Sequence, residues 1–220
     1  MEFMQELFSP IVSLFSIMLD FFYHLTTIAG IENYGIAIIL MTIFIKCCLY
    51  PLTAKQLRSM KAMQELQPKM KKIQDNYKNN PQLMQQKIAE LYKDSGVNPL
   101  AGCLPLFIQM PILMGVYYSL YGLEYIGDPG FMWLPNLSEP DPIYALPVLS
   151  ALTTYLMQKQ SSAQNEGGAN QQMKIMMMVM PIFIGWISLS FPSGLVLYWV
   201  TMNVVQIAQQ YYMFNYVDKN

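Results

Sequence analysis

A long apolar segment near the start of the chain is interrupted by one charged side chain. Residues 34–53 are almost wholly apolar as far as Pro51, apart from Lys46, and the run is roughly long enough to cross a bilayer core of about 30 Å. A lysine near the middle of such a segment costs roughly 2.5–3.5 kcal/mol on insertion scales. Its ammonium must therefore reach water, an anion or a polar cavity. Either the long stem extends to the inner headgroups, or Lys46 is a functional cation with Thr42 as a polar neighbour on the same helical face.

The composition indicates that much of this chain lies in a membrane. Hydrophobic residues make up 54% of the 220 residues and charged residues only 12%, which is typical of a multispanning membrane protein and not of a soluble domain. Cys47, Cys48 and Cys103 all lie within or beside apolar segments. An odd number of cysteines, two of them adjacent, argues against a disulfide framework.

The apolar segments predict an all-α polytopic membrane protein with five transmembrane helices, an N-terminal interfacial helix and a cytoplasmic helical hairpin. Residues 1–33 are predicted to form the interfacial helix on the outer surface, because Asp20 and His24 disfavour a spanning one. The spans are predicted at residues 34–53, 98–121, 143–158, 174–190 and 192–210. An outer loop is predicted at 122–142, a polar, mobile cytoplasmic linker at 159–173 and a cytoplasmic tail at 211–220.

Residues 54–97 carry most of the positive charge and predict the hairpin. Apolar residues recur every three or four positions in both halves, and Asn79-Asn80-Pro81 predicts the turn between them. Pro68 should break or kink the first arm, and Ser95-Gly96 should end the second. The basic residues expected to recruit a partner are Lys61, Lys69, Lys71, Lys72 and Lys87.

The distribution of charge predicts the orientation. With five spans, every lysine and arginine outside the membrane falls on the side of the hairpin, whereas the opposite side carries only acidic residues. Because loops rich in lysine and arginine stay in the cytoplasm, the N-terminus is predicted outside and the C-terminus inside, in a plasma membrane.

Polar residues recur within four of the spans, in their cytoplasmic halves. They are Lys46, Thr42, Gln109, Gln158, Trp199, Asn203 and Gln206. They either join neighbouring helices by hydrogen bonds of about 0.6 kcal/mol each, or line a hydrophilic groove that opens to the cytoplasm and stops part-way across. The recurrence at matching depth favours the groove.

A cationic groove closed toward the outside suits the movement of a polar peptide segment better than the conduction of a solute. A small-solute or ion channel is the alternative, and a structural assembly factor that only binds partner spans is a third class. The sequence shows no nucleophile–base pair, phosphate-binding loop or acid pair, so we expect no enzyme activity and no cofactor. The single histidine and the methionine-rich segment 173–180 give no convincing set of metal ligands.

Five motifs carry a resemblance to a known family. They are Lys46-(x)3-Tyr50-Pro51-Leu52-Thr53, Leu66-Gln67-Pro68-Lys69, Asn98-Pro99-Leu100-(x)-Gly102-Cys103-(x)-Pro105, Gln109-Met110-Pro111-Ile112 and Phe191-Pro192-Ser193-Gly194-Leu195-(x)2-Tyr198. Their order and spacing, from about residue 34 to 210, resemble the YidC/Oxa/Alb family of membrane-protein insertases, in a short form like that of Gram-positive members. With this resemblance to the short form, the large outer domain of some bacterial members is not expected.

The resemblance implies a bundle of five spans, a cytoplasmic hairpin and a hydrophilic groove. The family's groove arginine corresponds to Lys46, which keeps the charge but lacks the planar fork, and further groove residues map onto Thr42, Gln158 and Trp199. The implied activity is that of an insertase and chaperone for small membrane proteins in the bacterial plasma membrane, alone or with the Sec translocon. Implied partners are nascent membrane proteins, the ribosome and lipid, with no specific nucleic-acid binding beyond a ribosome contact.

Overall fold

The computed structural model describes residues 2–98, 104–121, 129–162 and 171–217. The helices in these ranges are α1 (Glu2–Ile28), α2 (Tyr34–Cys48), α3 (Tyr50–Glu65), α4 (Gln67–Asn76), α5 (Pro81–Asp94), α6 (Leu104–Tyr121), α7 (Ala145–Ser162), α8 (Gln171–Ser188) and α9 (Ser193–Tyr212). A π-helical turn, Met213–Val217, follows α9. Extended structure in the described ranges is limited to one antiparallel bridge, between Phe131 and Leu134. The predicted all-α class is confirmed.

The first predicted span is a shorter helix than the sequence suggested. Asn33 caps α2, since its side chain accepts a hydrogen bond from the backbone N–H of Ile36 at 3.1 Å. The helix then breaks at Leu49, and α2 and the helical segment that follows it meet at 64°. Pro51 explains the break, because a proline supplies no N–H to the preceding turn and its ring crowds the carbonyl four residues earlier. The predicted span over residues 34–53 therefore includes a helix break, and its bounds stay a prediction.

The segment predicted as the hairpin contains α3, α4 and α5, and its helices begin and end near the residues that the sequence indicated. The first arm is interrupted between α3 and α4, directly before Pro68. Asn80 caps α5 by accepting a hydrogen bond from a backbone N–H three residues on, and α5 ends before Gly96, whose φ is +66°. α4 and α5 pack against each other, and Tyr92 donates its hydroxyl hydrogen to the Met70 sulfur at 3.0 Å. This contact closes the predicted apolar seam.

The remaining helices pack as a bundle around α9. This helix contacts α2, α6 and α7, whereas α8 packs on α7 and α1 lies against both α2 and α6. The N-terminal half of α9 supplies a run of buried residues from Leu195 to Tyr198, which join Ile38, Met41 and Leu146 in one core. The core thus lies where α9 meets its neighbours.

The N-terminal helix is packed into the bundle on one face. Leu19 is fully buried, the ring of Tyr23 stacks on that of Tyr34 with centroids 4.0 Å apart, and a Cβ on Gly115 of α6 would lie only 2.6 Å from the Phe15 ring. By length and composition, Ser9–Ile28 is also able to cross a membrane. Those properties fit a spanning helix as well as the predicted interfacial one, so the placement of α1 stays a prediction.

The number of spans also stays a prediction. Among the described residues, length and composition identify one spanning candidate, Ser9–Ile28, or two if the bent pair of α2 and the helix after it counts as one span. A shorter apolar helix lies at Met178–Ser188. α7 continues to Ser162 and α8 begins at Gln171, so both helices extend into the predicted linker. Residues 163–170 of that linker, and its predicted mobility, lie outside the described residues, as do residues 122–128 of the outer loop.

Candidate functional site: a half-buried lysine between α2 and α9

Lys46 lies in the last turn of α2 and is half-buried against α9. Its ammonium donates a hydrogen bond to Oε1 of Gln206 at 2.9 Å. Its backbone carbonyl accepts a hydrogen bond from Nε2 of Gln209 at 3.0 Å. A cation at this end of a helix is favoured by the partial negative charge of the last carbonyls. The amide partner is neutral, so it satisfies a hydrogen bond without cancelling the charge.

Within the described part of the chain, no carboxylate forms an ion pair with Lys46. Two ion pairs in the described part of the chain join Lys78 to Asp75 at 2.8 Å and Lys87 to Glu90 at 2.6 Å, both in residues 54–97. A positive charge that is partly removed from water and bonded to a neutral amide attracts a negatively charged group strongly, because the effective dielectric around it is well below that of water.

Thr42 lies one turn outward from Lys46 on α2. Its side chain is only 1% exposed, and its hydroxyl donates to the carbonyl of Ile38 at 2.6 Å. The bond within α2 satisfies the hydroxyl. The structure therefore places Thr42 beneath α9 in the helix interface.

A second polar group joins α7 to α9. Asn203 is fully buried, and its Nδ2 donates to the hydroxyl oxygens of Thr153 at 3.1 Å and Thr154 at 2.9 Å. The indole N–H of Trp199 donates to the same Thr154 oxygen at 3.3 Å. These bonds have the geometry expected of polar residues that join helices in a membrane.

The other two predicted residues lie away from the lysine. Gln109 of α6 donates from Nε2 to the hydroxyl of Tyr198 at 3.0 Å, which ties α6 to the N-terminal half of α9. Gln158 is half-buried on α7, one turn beyond Thr154. The predicted residues thus fall into separate groups that share α9: Lys46 with Gln206, Trp199 with Asn203, and Gln109 with its own partner.

Gln209 was not among the residues predicted from the sequence, which named Trp199, Asn203 and Gln206 on α9. The neighbouring Gln210 faces α7, where it accepts a hydrogen bond from Ser161 at 3.3 Å. Gln209 is three residues after Gln206, so the helical spacing contained the signal. The bond it makes goes to a main-chain carbonyl, which no residue pattern reveals.

The basic residues of the hairpin divide by exposure. Lys69, Lys71 and Lys72 are exposed on α4, whereas Lys61 and Lys87 are half-buried. Lys87 is bonded to Glu90, and this hydrogen bond and charge raise the pKa of the lysine. Of the five basic residues predicted to recruit a partner, the three on α4 are therefore the accessible ones.

Comparisons with known proteins place this arrangement in a family. The profile of the family described as 60Kd inner membrane protein matches residues 24–220. The "Membrane protein insertase YidC" of Clostridium perfringens is 43% identical over 220 residues, covering 96% of this chain and 92% of the relative. The "Membrane protein insertase MisCA" of Bacillus subtilis is 45% identical over 184 residues, covering 82% and 70%.

A solved structure shares the fold. The "Active YidC insertase crystal structure with the first transmembrane domain resolved" aligns with a TM-score of 0.70 at 28% identity, covering 94% of this chain. The chain spans 46% of that protein, about half its length. Fold and relatives together define an integral membrane protein built as a helical bundle. The chain belongs to the 60Kd inner membrane protein family, the YidC/Oxa/Alb membrane-protein insertases.

Proposed function

We propose that this protein inserts small membrane proteins into the plasma membrane and helps them fold, alone or with the Sec translocon. Relatives that match nearly all of the chain carry the name of insertase, which supports the class of activity. The observation that carries the mechanism is the Lys46 ammonium, half-buried and bonded to the neutral Gln206.

The lysine is proposed to capture a carboxylate in the polar tail of a substrate. Two unit charges 4 Å apart attract each other by about 4 kcal/mol at an effective dielectric constant of 20. The ammonium must give up its bond to Gln206 when it binds the tail, so only part of that attraction remains. The apolar segment of the substrate then enters lipid beside α2 and α9, and the membrane potential assists the outward movement of an acidic tail.

The groove is proposed to be lined by the predicted residues around this lysine, with Gln109 and Gln158 at its sides. Gln206 and Trp199 are half-buried and fit this role as the helices stand. Thr42 and Asn203 are buried, so their contact with a substrate requires α9 to move away from α2 and α7.

The hairpin is proposed to recruit the substrate. The exposed lysines of α4, Lys69, Lys71 and Lys72, suit a nascent chain or ribosomal RNA, both of which offer negative charge. The charge asymmetry of the sequence supports a cytoplasmic hairpin and C-terminus with the N-terminus outside.

The test is reconstitution of the purified protein in liposomes, with insertion of a single-span substrate that has an acidic tail as the readout. Lys46→Ala should reduce insertion about tenfold, because a loss of about 1.4 kcal/mol in capture corresponds to that factor. Lys46→Arg should retain insertion. Lys55→Ala, at an exposed lysine of α3, is the matched control and should have no effect.

The outcomes separate the parts of the proposal. Equal insertion by wild type, Lys46→Ala and Lys46→Arg would retain the insertase and reject the electrostatic role of the lysine. Folded protein that inserts nothing would reject autonomous insertion, and an ion flux through the same liposomes would favour the channel.

A further inference from the structure

Two glutamines of α9 hold Lys46 at different points. Gln206 accepts a hydrogen bond from the side-chain ammonium at 2.9 Å, whereas Gln209 donates one to the main-chain carbonyl at 3.0 Å. Residues three apart on a helix lie on one face. One face of α9 therefore fixes both the charged end of Lys46 and its backbone.

The carbonyl of Lys46 lies at the end of α2, where the helix itself supplies no N–H to bond it. The last four carbonyls of a helix have no partner within the helix, and Lys46 is among the last four residues of α2, which ends at Cys48. The chain bends by 64° directly after this point, and the N–H of Leu49 is bonded to the carbonyl of Ile45. Gln209 thus acts as a cap for α2, supplied by a different helix.

The two bonds differ in how readily they are exchanged. A substrate carboxylate can replace the Gln206 oxygen at the ammonium, because a charged acceptor adds an attraction that a neutral amide lacks. The same carboxylate has nothing to donate to the carbonyl of Lys46, so it cannot replace Gln209. Binding of an acidic tail therefore breaks the side-chain bond and leaves the backbone bond in place.

We propose that Gln209 is a positioning residue for the capture of acidic tails. It anchors the main chain of Lys46 at the end of α2 while the ammonium exchanges Gln206 for the carboxylate of the substrate. This inference rests on the proposed function of Lys46 and adds the residue that fixes where the ammonium is presented.

The experiment compares two substrates that differ only in the tail, one acidic and one with the acidic residues replaced by their amides, in liposomes containing each variant. Gln209→Met removes the donor and keeps a long unbranched side chain. It should lower insertion of the acidic substrate about threefold to tenfold, the range expected for one hydrogen bond. Insertion of the neutral substrate should stay within about twofold of wild type.

Gln210→Met is the matched control. Gln210 is the next residue and is buried, but its side chain is bonded to Ser161 of α7 at 3.3 Å. Its loss should affect both substrates equally. Gln209→Leu also removes the donor without adding a charge and should show the same selective loss, which provides a second variant if Gln209→Met does not fold.

The results distinguish this inference from the one on which it rests. If Lys46→Ala abolishes the preference for the acidic tail but both Gln209 variants keep it, Gln209 has no positioning role and the proposed function survives. If the Gln209 variants lower insertion of both substrates equally, their role is only structural. If wild type itself shows no preference for the acidic tail, both proposals are rejected.

Discussion

Replacing Asn203 by leucine tests whether this residue joins α7 to α9 or contacts the substrate. Leucine has the same branching as asparagine at Cγ but cannot form a hydrogen bond. Asn203 is fully buried and donates to Thr153 and Thr154. If the residue mainly joins α7 to α9, the substitution should reduce stability and leave insertion of acidic tails unchanged.

The contacts that remain limit the size of the effect. The hydroxyl of Thr153 still donates to the carbonyl of Leu149, and the oxygen of Thr154 still accepts from Trp199, so neither threonine loses every partner. Two hydrogen bonds of about 0.6 kcal/mol each give a loss of about 1.2 kcal/mol. For a chain of this length, that loss corresponds to a fall of about 2–5 °C in Tm.

The assay is thermal unfolding in detergent, followed by insertion in liposomes at a temperature where both proteins are folded. Thr154→Val removes the shared acceptor, so a double-mutant cycle with Asn203→Leu should give a coupling energy of about 0.6 kcal/mol. A strong loss of insertion with an unchanged Tm would refute this reasoning and place Asn203 in contact with the substrate.

Three further predictions concern other parts of the molecule. A cysteine at Gln206 should react with a water-soluble thiol reagent added from the cytoplasmic side, since the proposed groove opens there; protection from the reagent would favour a purely structural role. Gly115→Ala should destabilise the protein by about 1–3 kcal/mol, because the added Cβ would lie 2.6 Å from the Phe15 ring; Phe15→Leu should partly restore the Tm, and an unaltered Tm for Gly115→Ala alone would show that α1 is not held against α6. Deletion of residues 63–87 should abolish insertion in cells while the purified bundle keeps its Tm, and wild-type insertion would reduce the hairpin to a spacer.

Local signals in the sequence predicted where the helices of residues 54–97 begin and end. Pro68, the Asn80 cap and Gly96 each act through the backbone of their own neighbours, so their effects are readable without knowledge of the rest of the fold. The end of α2 was less predictable. The apolar composition continues to Pro51, whereas the helix ends at Cys48.

The candidate site was predictable in its members and less so in their arrangement. Helical spacing brought Lys46, Gln206 and Asn203 to attention, but it could not show that Asn203 faces α7 whereas Gln206 faces α2. Such assignments depend on which helices are neighbours in space, and the sequence alone does not show this. The bond from Gln209 to a backbone carbonyl depends on the same tertiary information.

The central position of α9 has a consequence for the biogenesis of the protein itself. α9 is the last long helix of the described chain, and it contacts α2, α6 and α7. During synthesis from the N-terminus, α2, α6 and α7 are therefore made before the helix that contacts all three of them. Until α9 has been made, Lys46 lacks both of the glutamines that hold it, so the charged residue of α2 depends on other polar groups during that part of synthesis.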